Sequence, residues 1–383
     1  MPADMGTTVT AQQFMVNTLK VFFRKSLIAL ITNNDFYSDA GDIDEKSSKS
    51  IRSKNQKFTI STLYSGGWTT YSGSTLSWNT VKEVVSTLVI DQFKTFNDII
   101  QSLAYFKSSV KDPKSSVIEH AGGKLRELVD QAVLDMVADA GAGNWVGTDY
   151  TTGTVTVTVT TGAVVGVGTT FAAGMVGKPF KAAGHSKWYR VATFTDTTHI
   201  TIENDSDDES SSYDGGAISG GSAYTIQANT KIALTKTNIS QYFTECQVAL
   251  DNNSIPEEDR WMVLPASAKK PLNAAAEFNK DLEKSFQAVV VKGVVQEAAG
   301  FRLYYVPDSW VNGDNSSGYE CPFGHKSFIT AGYGFIEPIS IILSKDNQTN
   351  YGDMMKGLYG YGLKVADERR RAGGKLFATF SIS

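Results

Sequence analysis

Four histidines and two cysteines are the residues of this chain best suited to metal or nucleophilic chemistry. His120, His185, His199 and His325 share no metal-type spacing with one another or with Cys246 and Cys321, so a zinc-type site is not expected. The run DSDDESSSYDGG (205–216) gathers carboxylates that could offer hard oxygen ligands to calcium. It lacks the alternating ligand positions of an EF-hand loop, and a solvated acidic loop is the better reading. The one dense basic cluster, DERRRAGGK (367–375), could grip phosphate or a neighbour's carboxylates through bidentate arginine contacts. Asp367 and Glu368 beside Arg369, Arg370 and Arg371 favour a salt-bridged interface or a solvated face. No GxSxG elbow, Walker loop or dinucleotide fingerprint occurs. The glycine–aromatic segments GYGFIEP and GLYGYGLKV have no helix start behind them to receive a phosphate. The expectation is a chain without catalytic residues, cofactor or metal, whose many surfaces suit assembly.

The elements that would carry those surfaces follow from composition and spacing. At 383 residues and 41% hydrophobic, the chain can bury a sizeable core, and its 20% charged content with abundant Thr, Ser and Gly points to strands and turns. A net charge of −4 argues against a general nucleic-acid binder. The N-terminus has neither a basic nor an apolar signal region. The segment VFFRKSLIALI is short and carries Arg24 and Lys25, so it is not expected to span a bilayer. The reading is a soluble protein of a reducing cytoplasm, with Cys246 a buried thiol in an amphipathic helix.

Residues 11–31 carry helical apolar spacing (Phe14, Leu19, Phe22, Phe23, Leu27, Leu30), and a polar arm follows. Strands around SGGWTTYSGS read as a long hairpin with turns or bulges at Gly66, Gly67 and Gly73. Its Trp68, Tyr71 and Trp78 suit either a partner surface or their own domain. VKEVVSTLVIDQFKTFNDI reads as a β-branched run into a polar turn. Asp112-Pro113 opens the clearest helix, with Leu125, Leu128, Val129, Ala132 and Met136 as its apolar stripe, ending near Ala140. TVTVTVT (154–160) alternates strictly, placing Val155, Val157 and Val159 on one face, and short strands continue to SAYTIQA near 228. Asn238 is a plausible N-cap, with Gln241 three residues on, for a helix whose face is Ile239, Phe243, Cys246 and Leu250. Helices are expected from Ala266 and around 275–287. GVVQEAAGFRLYYVP reads as two strands turning at Gly300; SFITAG, PISIIL and KLFATFSIS read as further strands.

The segment TNISQYFTECQVALDNNSIPEEDRWMVLP resembles the helix, L-D-x-x-x-(V/I)-P-x-x-x-R turn and strand of the tailed-phage major capsid proteins of the Hong Kong 97 type. GVVQEAAGFRLYYVPD is similar to that family's strand pair at Gly293, Gly300, Phe301 and Tyr304. YGDMMKGLYGYGLKV resembles its closing signature at Gly357, Leu358, Tyr361, Gly362, Lys364 and Val365. The resemblance implies an α+β fold with an N-terminal arm (1–55), an extended β-hairpin loop (56–90) and a peripheral domain with a long spine helix (91–147). An axial domain (231–330) and closing strands shared by the axial and peripheral domains (331–383) would follow. Residues 148–230 depart from the pattern as an inserted all-β domain. The implied function is a structural one: self-assembly through hexamers and pentamers into an icosahedral head shell around phage double-stranded DNA. The implied location is the virion capsid, assembled in the host bacterial cytoplasm. Implied partners are copies of the chain, with scaffold, portal or decoration proteins as further candidates; DNA would be touched weakly and membrane not at all. Candidate inter-subunit residues are Trp68, Tyr71, Trp78, Arg260, Arg369, Arg370 and Arg371. Covalent lysine–asparagine cross-linking, seen in some members, is not expected. The rival reading is a β-rich adhesive or carbohydrate-binding phage structural protein.

Overall fold

The segment opened by Asp112-Pro113 forms the long helix its spacing predicts, α2 (Pro113–Asp135), prolonged by a 3-10 turn over Met136–Asp139. The computed structural model describes residues 26–34, 37–38, 56–64, 82–101, 113–205, 212–275, 289–291, 294–342 and 351–382. Contacts divide the chain into two units, Met1–Val133 with Thr330–Lys364 and Leu134–Ile329 with Val365–Ser383.

The first unit holds α1 (Leu27–Ile31), β1 (Thr32–Asn33), β2 (Tyr37–Ser38), β3 (Lys57–Tyr64), β4 (Lys82–Val89) and β5 (Gln92–Gln101), besides α2. Two late strands, β22 (Ile329–Ile342) and β23 (Gly352–Lys364), return to it. They build a sheet of order β1-β22-β23-β5, next to a smaller one of order β2-β3-β4. The hairpin pairs Lys57 with Val89 through to Tyr64 with Lys82. Phe58, Ile60, Leu88 and Ile90, all at most 1% exposed, anchor its base. Trp68, Tyr71 and Trp78 lie outside the described residues, as do the helical spacing before Ser26 and most of the polar arm.

Three local readings change here. The polar turn expected after Ile90 is instead the ten-residue strand β5, which pairs with β23 from Gln92↔Tyr361 to Gln101↔Gly352. As an edge strand it can afford polar residues, which blurs the alternation that marks a strand. SFITAG and PISIIL are not separate strands but one, β22, with register shifts between Phe335 and Ser340. Pro338 sits within the shifted stretch, where a missing ladder donor is tolerated. The buried face of α2 is also rotated from the expected stripe: Val129 and Val133 are at most 1% exposed, whereas Leu128 is 46% exposed and Asp130 only 2%.

The second unit contains two large sheets. The eight-stranded one uses β7 (Thr148–Tyr150), β8 (Thr154–Val157), β9 (Ala163–Val167), β10 (Pro179–Ala182), β11 (Tyr189–Asp196), β12 (His199–Asn204), β13 (Ile218–Ser222) and β14 (Tyr224–Thr230), in the order β13-β8-β9-β12-β11-β10-β14-β7. Its core gathers valines and isoleucines with Phe171, Phe180, Tyr189, Tyr213 and Tyr224. Full burial of each large apolar side chain contributes about 1.5–3 kcal/mol before ordering costs. Val155 and Val157 point inward as the alternation predicts, but Val159 is 51% exposed because β8 ends before it and Thr160 turns with φ +74°.

The other sheet takes β6 (Trp145–Val146), β15 (Ile232–Leu234), β16 (Arg260–Pro265), β17 (Val289–Val291), β18 (Val294–Ala298), β19 (Phe301–Val306), β20 (Gly313–Asp314), β21 (Gly318–His325) and β24 (Gly373–Phe380). Its main path is β15-β24-β21-β16-β19-β18-β17. The same unit holds α3 (Ile239–Asp251) and the short α4 (Lys269–Ala274). Ile239, Phe243, Cys246 and Leu250 are all fully buried, as their spacing predicts. Ala299 and Gly300, with φ +49° and +74°, make the expected tight turn between β18 and β19. The capping box does not form. The Asn238 side chain accepts from Thr235 N–H at 2.7 Å and donates to Ala233 O at 3.0 Å, tying α3 back to β15, while Gln241 donates to Glu245. The helix expected at 275–287 lies almost wholly outside the described residues.

Candidate functional site

Among the described residues no group of three His, Cys, Asp or Glu side chains could hold a metal ion. Most of the acidic run after Asp205 lies outside the described residues. What the structure builds from the singled-out residues is a set of buried ionic fastenings.

Arg260 begins β16 directly after the turn that leaves α3. Its side chain is 1% exposed, and its guanidinium donates to Asp251 Oδ1 at 2.6 Å, to Pro256 O at 2.8 Å and to Ile255 O. One arginine thus binds the end of the helix, the turn and the start of the strand. Ser254 and Asp259, with φ +57° and +54°, give the turn its reversals. The fork of fixed donors suits this, since a lysine could not reach three acceptors at set angles.

Arg370 belongs to a 3-10 helix over Asp367–Ala372. Its side chain is 4% exposed and donates to Asp205 Oδ1 at 2.7 Å, the oxygen that Arg190 of β11 reaches at 2.6 Å. Asp367 stands 3.5 Å away on the other side. Asp205 Oδ2 also accepts the Ala142 N–H at 3.2 Å. The backbone completes the joint: Gly141 N–H donates to Arg370 O at 2.9 Å, and a Cβ at Gly141 would lie 2.6 Å from that oxygen. Asn144 donates to Arg371 O and Gly373 O at 2.7 and 2.9 Å. Arg371 is exposed and Arg369 half-buried. The structure therefore brings Arg370 to Asp205 and leaves Arg260 in a separate fastening. Sequence reading placed Asp205 in a solvated acidic loop; the signal that it closes a strand was the HITIEN run just before it.

A third cluster lies between the same two sheets. Lys375 is 5% exposed, pairs with Glu320 at 3.0 Å and stands 3.9 Å over the Trp145 ring. Lys178 donates to Ala228 O and Asn229 O at 3.1 and 2.6 Å. Burial pushes its amine down to about 8; Glu320 opposes that shift and Lys375 adds to it. An amine held by two backbone carbonyls is positioned to join strands. Cys246 and Cys321 are free and fully buried, and burial pushes both thiols up, away from the reactive thiolate.

Tyr359 and Tyr361, from the glycine–aromatic segment, are 2% and 3% exposed in β23. Phe335 meets Tyr359 edge-on at 5.2 Å. Gly362 lies so close to β4 that a Cβ would fall 2.1 Å from Val89 O. These residues serve the packing of the small sheets.

No family model and no curated protein matches the chain. Among solved structures, one from Mycobacterium phage Che8 aligns with a TM-score of 0.51 and 12% identity, covering 93% of this chain and 91% of that one. A capsid structure of the cyanophage P-SCSP1u aligns at 0.49 and 14%, covering 90% and 93%. The capsid of Ralstonia phage GP4 aligns at 0.44 and 10%, covering 94% and 92%. The likeness to the Che8 structure extends over nearly the whole of both chains, and at 12% identity what it shows is a shared fold.

Proposed function

We propose that this chain is the major capsid protein of a tailed bacteriophage, a non-enzymatic subunit that assembles into the icosahedral head shell around double-stranded DNA. The supporting observation is the fold shared with the Che8 structure over 93% of the chain. The three segments that resemble Hong Kong 97-type capsid proteins add to it. They fall on α3–turn–β16, on the β18–β19 pair and on β23. In this reading residues 1–55 are the arm, 56–90 the extended loop, 91–147 the peripheral domain with α2 as spine, and 231–330 the axial domain, closed by 331–383. Residues 148–230 are an inserted β-domain, and the Asp205–Arg370 joint fastens it to the axial sheet. Trp68, Tyr71, Trp78 and the exposed Arg371 are the inter-subunit contacts. Arg260 and Arg370, with donors engaged inside the chain, hold the surfaces that dock.

Repeated interfaces of modest strength close such a shell, and multivalency makes it hard to take apart. A charge of −4 suits a wall that confines DNA without binding it tightly. The proposal also places the protein in the virion, with other head proteins as partners. Its test is the size of the native species. Sedimentation and negative-stain images of the protein, alone and from phage lysate, should show capsomers or shells. Concentrated material that stays at one subunit's mass and is missing from virions overturns the reading.

A further inference from the structure

The long helix α2 carries two adjacent glycines, Gly122 and Gly123, near its middle. Glycine loses more backbone freedom on entering a helix than any other residue. Each one makes the helical state roughly two- to fivefold less favourable than alanine would. Two structural needs can place a glycine in a helix all the same. One is a left-handed φ, which neither of these residues has. The other is a close neighbour in the space of the missing Cβ. Gly122 is buried, but a Cβ built on Gly123 meets nothing within 4 Å among the described residues. Alanine would fit there and hold the helix better, so packing does not account for Gly123.

The two sides of the glycine pair are held differently. After it, Val129 and Val133 are at most 1% exposed, and Asp130 Oδ1 accepts from Ser26 Oγ and Leu27 N–H at 2.7 Å each. Before it, Ser116, Glu119 and His120 are exposed, and Val117 and Ala121 are half-buried. Val117 packs against Met355 of β23. The weakest point of the helix therefore falls where a firmly anchored half meets a lightly anchored one. Glycine pairs are a common cause of helix bending, and hinges gather at positions that absorb a change of backbone angles. We infer that α2 hinges at Gly122–Gly123, its second half fixed and its first half, 113–121, free to tilt while staying helical. A tilt of ~20° over that half, ~14 Å long, displaces the start of the helix by ~5 Å.

The test places nitroxide labels on the full chain through Glu119→Cys and Leu128→Cys, exposed positions on either side of the pair. Cys246 and Cys321 are fully buried and take no label. Dilution with unlabelled chain confines the measured distances to one chain, so the result stands apart from shell formation. In a straight helix the labelled sites are ~14 Å apart along the axis. Their distance distribution is expected to be at least about twice as wide as in the same chain carrying Gly123→Ala. Distributions equally narrow or equally wide in both overturn the inference. A second label pair, Ser116→Cys and His120→Cys, separates bending from fraying. Both positions are exposed, and their short i, i+4 separation should persist beside the unaltered glycines. Loss of that separation would mean that the first half unwinds instead of tilting, which also overturns the hinge.

Discussion

Asp130 and Asp205 are both carboxylates withdrawn from water, and the two units satisfy them differently. Asp205, 10% exposed, meets two guanidinium groups at 2.6 and 2.7 Å. Asp130, 2% exposed, is served by a hydroxyl and a backbone N–H, with Arg126 no nearer than 3.9 Å. Loss of water dominates at Asp130 and pushes its carboxyl from 3.8 up to about 6, against the lowering effect of its hydrogen bonds and of Arg126. The difference separates two kinds of fastening. The arginine joint needs its carboxylate charged to hold two sheets together. The Ser26 clamp tolerates a proton, so its contribution to the fold varies with pH.

The sharpest way to break the contrast is Asp205→Ala. It removes the shortest partner of Arg370, whose side chain is 4% exposed, and the shared partner of Arg190. Removing one member of a buried ionic cluster costs about 3–5 kcal/mol. A clear drop in urea midpoint is expected, with looser hydrogen-exchange protection in β11 and β12. A loss below ~1 kcal/mol, the worth of an exposed pair, would show that the joint does not hold the sheets.

Asp130→Asn probes the other kind. The folded-state value is raised, so the charged form is the disfavoured one in the folded chain. The contribution of Asp130 is greatest below pH 3.8 and is lost as pH rises through about 6. An asparagine keeps an acceptor for Ser26 and Leu27 without a charge to desolvate. The stability difference between variant and unaltered chain should therefore grow by on the order of 2–3 kcal/mol between pH 4 and 7. Denaturation curves across that range check it; parallel pH profiles would place Asp130 in contact with water.

Reading the sequence reached those features whose cause is local. The face Ile239, Phe243, Cys246 and Leu250, the turn at Gly300 and the start of α2 at Pro113 all follow from periodicity or turn chemistry. The misplaced features depend on distant partners. Ser26 and Asp130 are 104 residues apart, and Asp205 and Arg370 are 165 apart. Neither pairing leaves a mark in spacing. Leu128 misled because apolar residues ring α2 on more than one side, and only the sheet decides which side is buried. Gln92–Gln101 hid its strand because an edge accepts polar residues on both faces.

The smallest expected effect sharpens the comparison by reversing its sign. His185, 7% exposed, accepts the Ala182 N–H at Nδ1 over 3.3 Å and faces the Tyr213 hydroxyl from Nε2 at 2.9 Å. Tyr213 gives its proton to Gly216 O at 2.7 Å, so Nε2 carries the hydrogen and the ring is neutral. Burial, then Lys181, push the imidazole below its ordinary 6.5, while Asp214 lies beyond Tyr189, whose hydroxyl donates to it. A folded-state value lowered from 6.5 means that His185 supports the fold above that pH and withdraws support as pH falls below it. Protonation would set an Nδ1–H against the Ala182 N–H, at a cost of about 1 kcal/mol, the worth of one hydrogen bond. His185→Gln retains an acceptor and a donor but does not titrate. Acidification from pH 7.5 to 5 should therefore destabilise the eight-stranded sheet of the unaltered chain more than that of the variant, followed by hydrogen exchange in β10 and β11. Over the same interval Asp130 gains support, so these two groups respond to acid in opposite directions. Identical slopes in chain and variant would mean that the ring's proton is not held where the hydrogen-bond chain puts it.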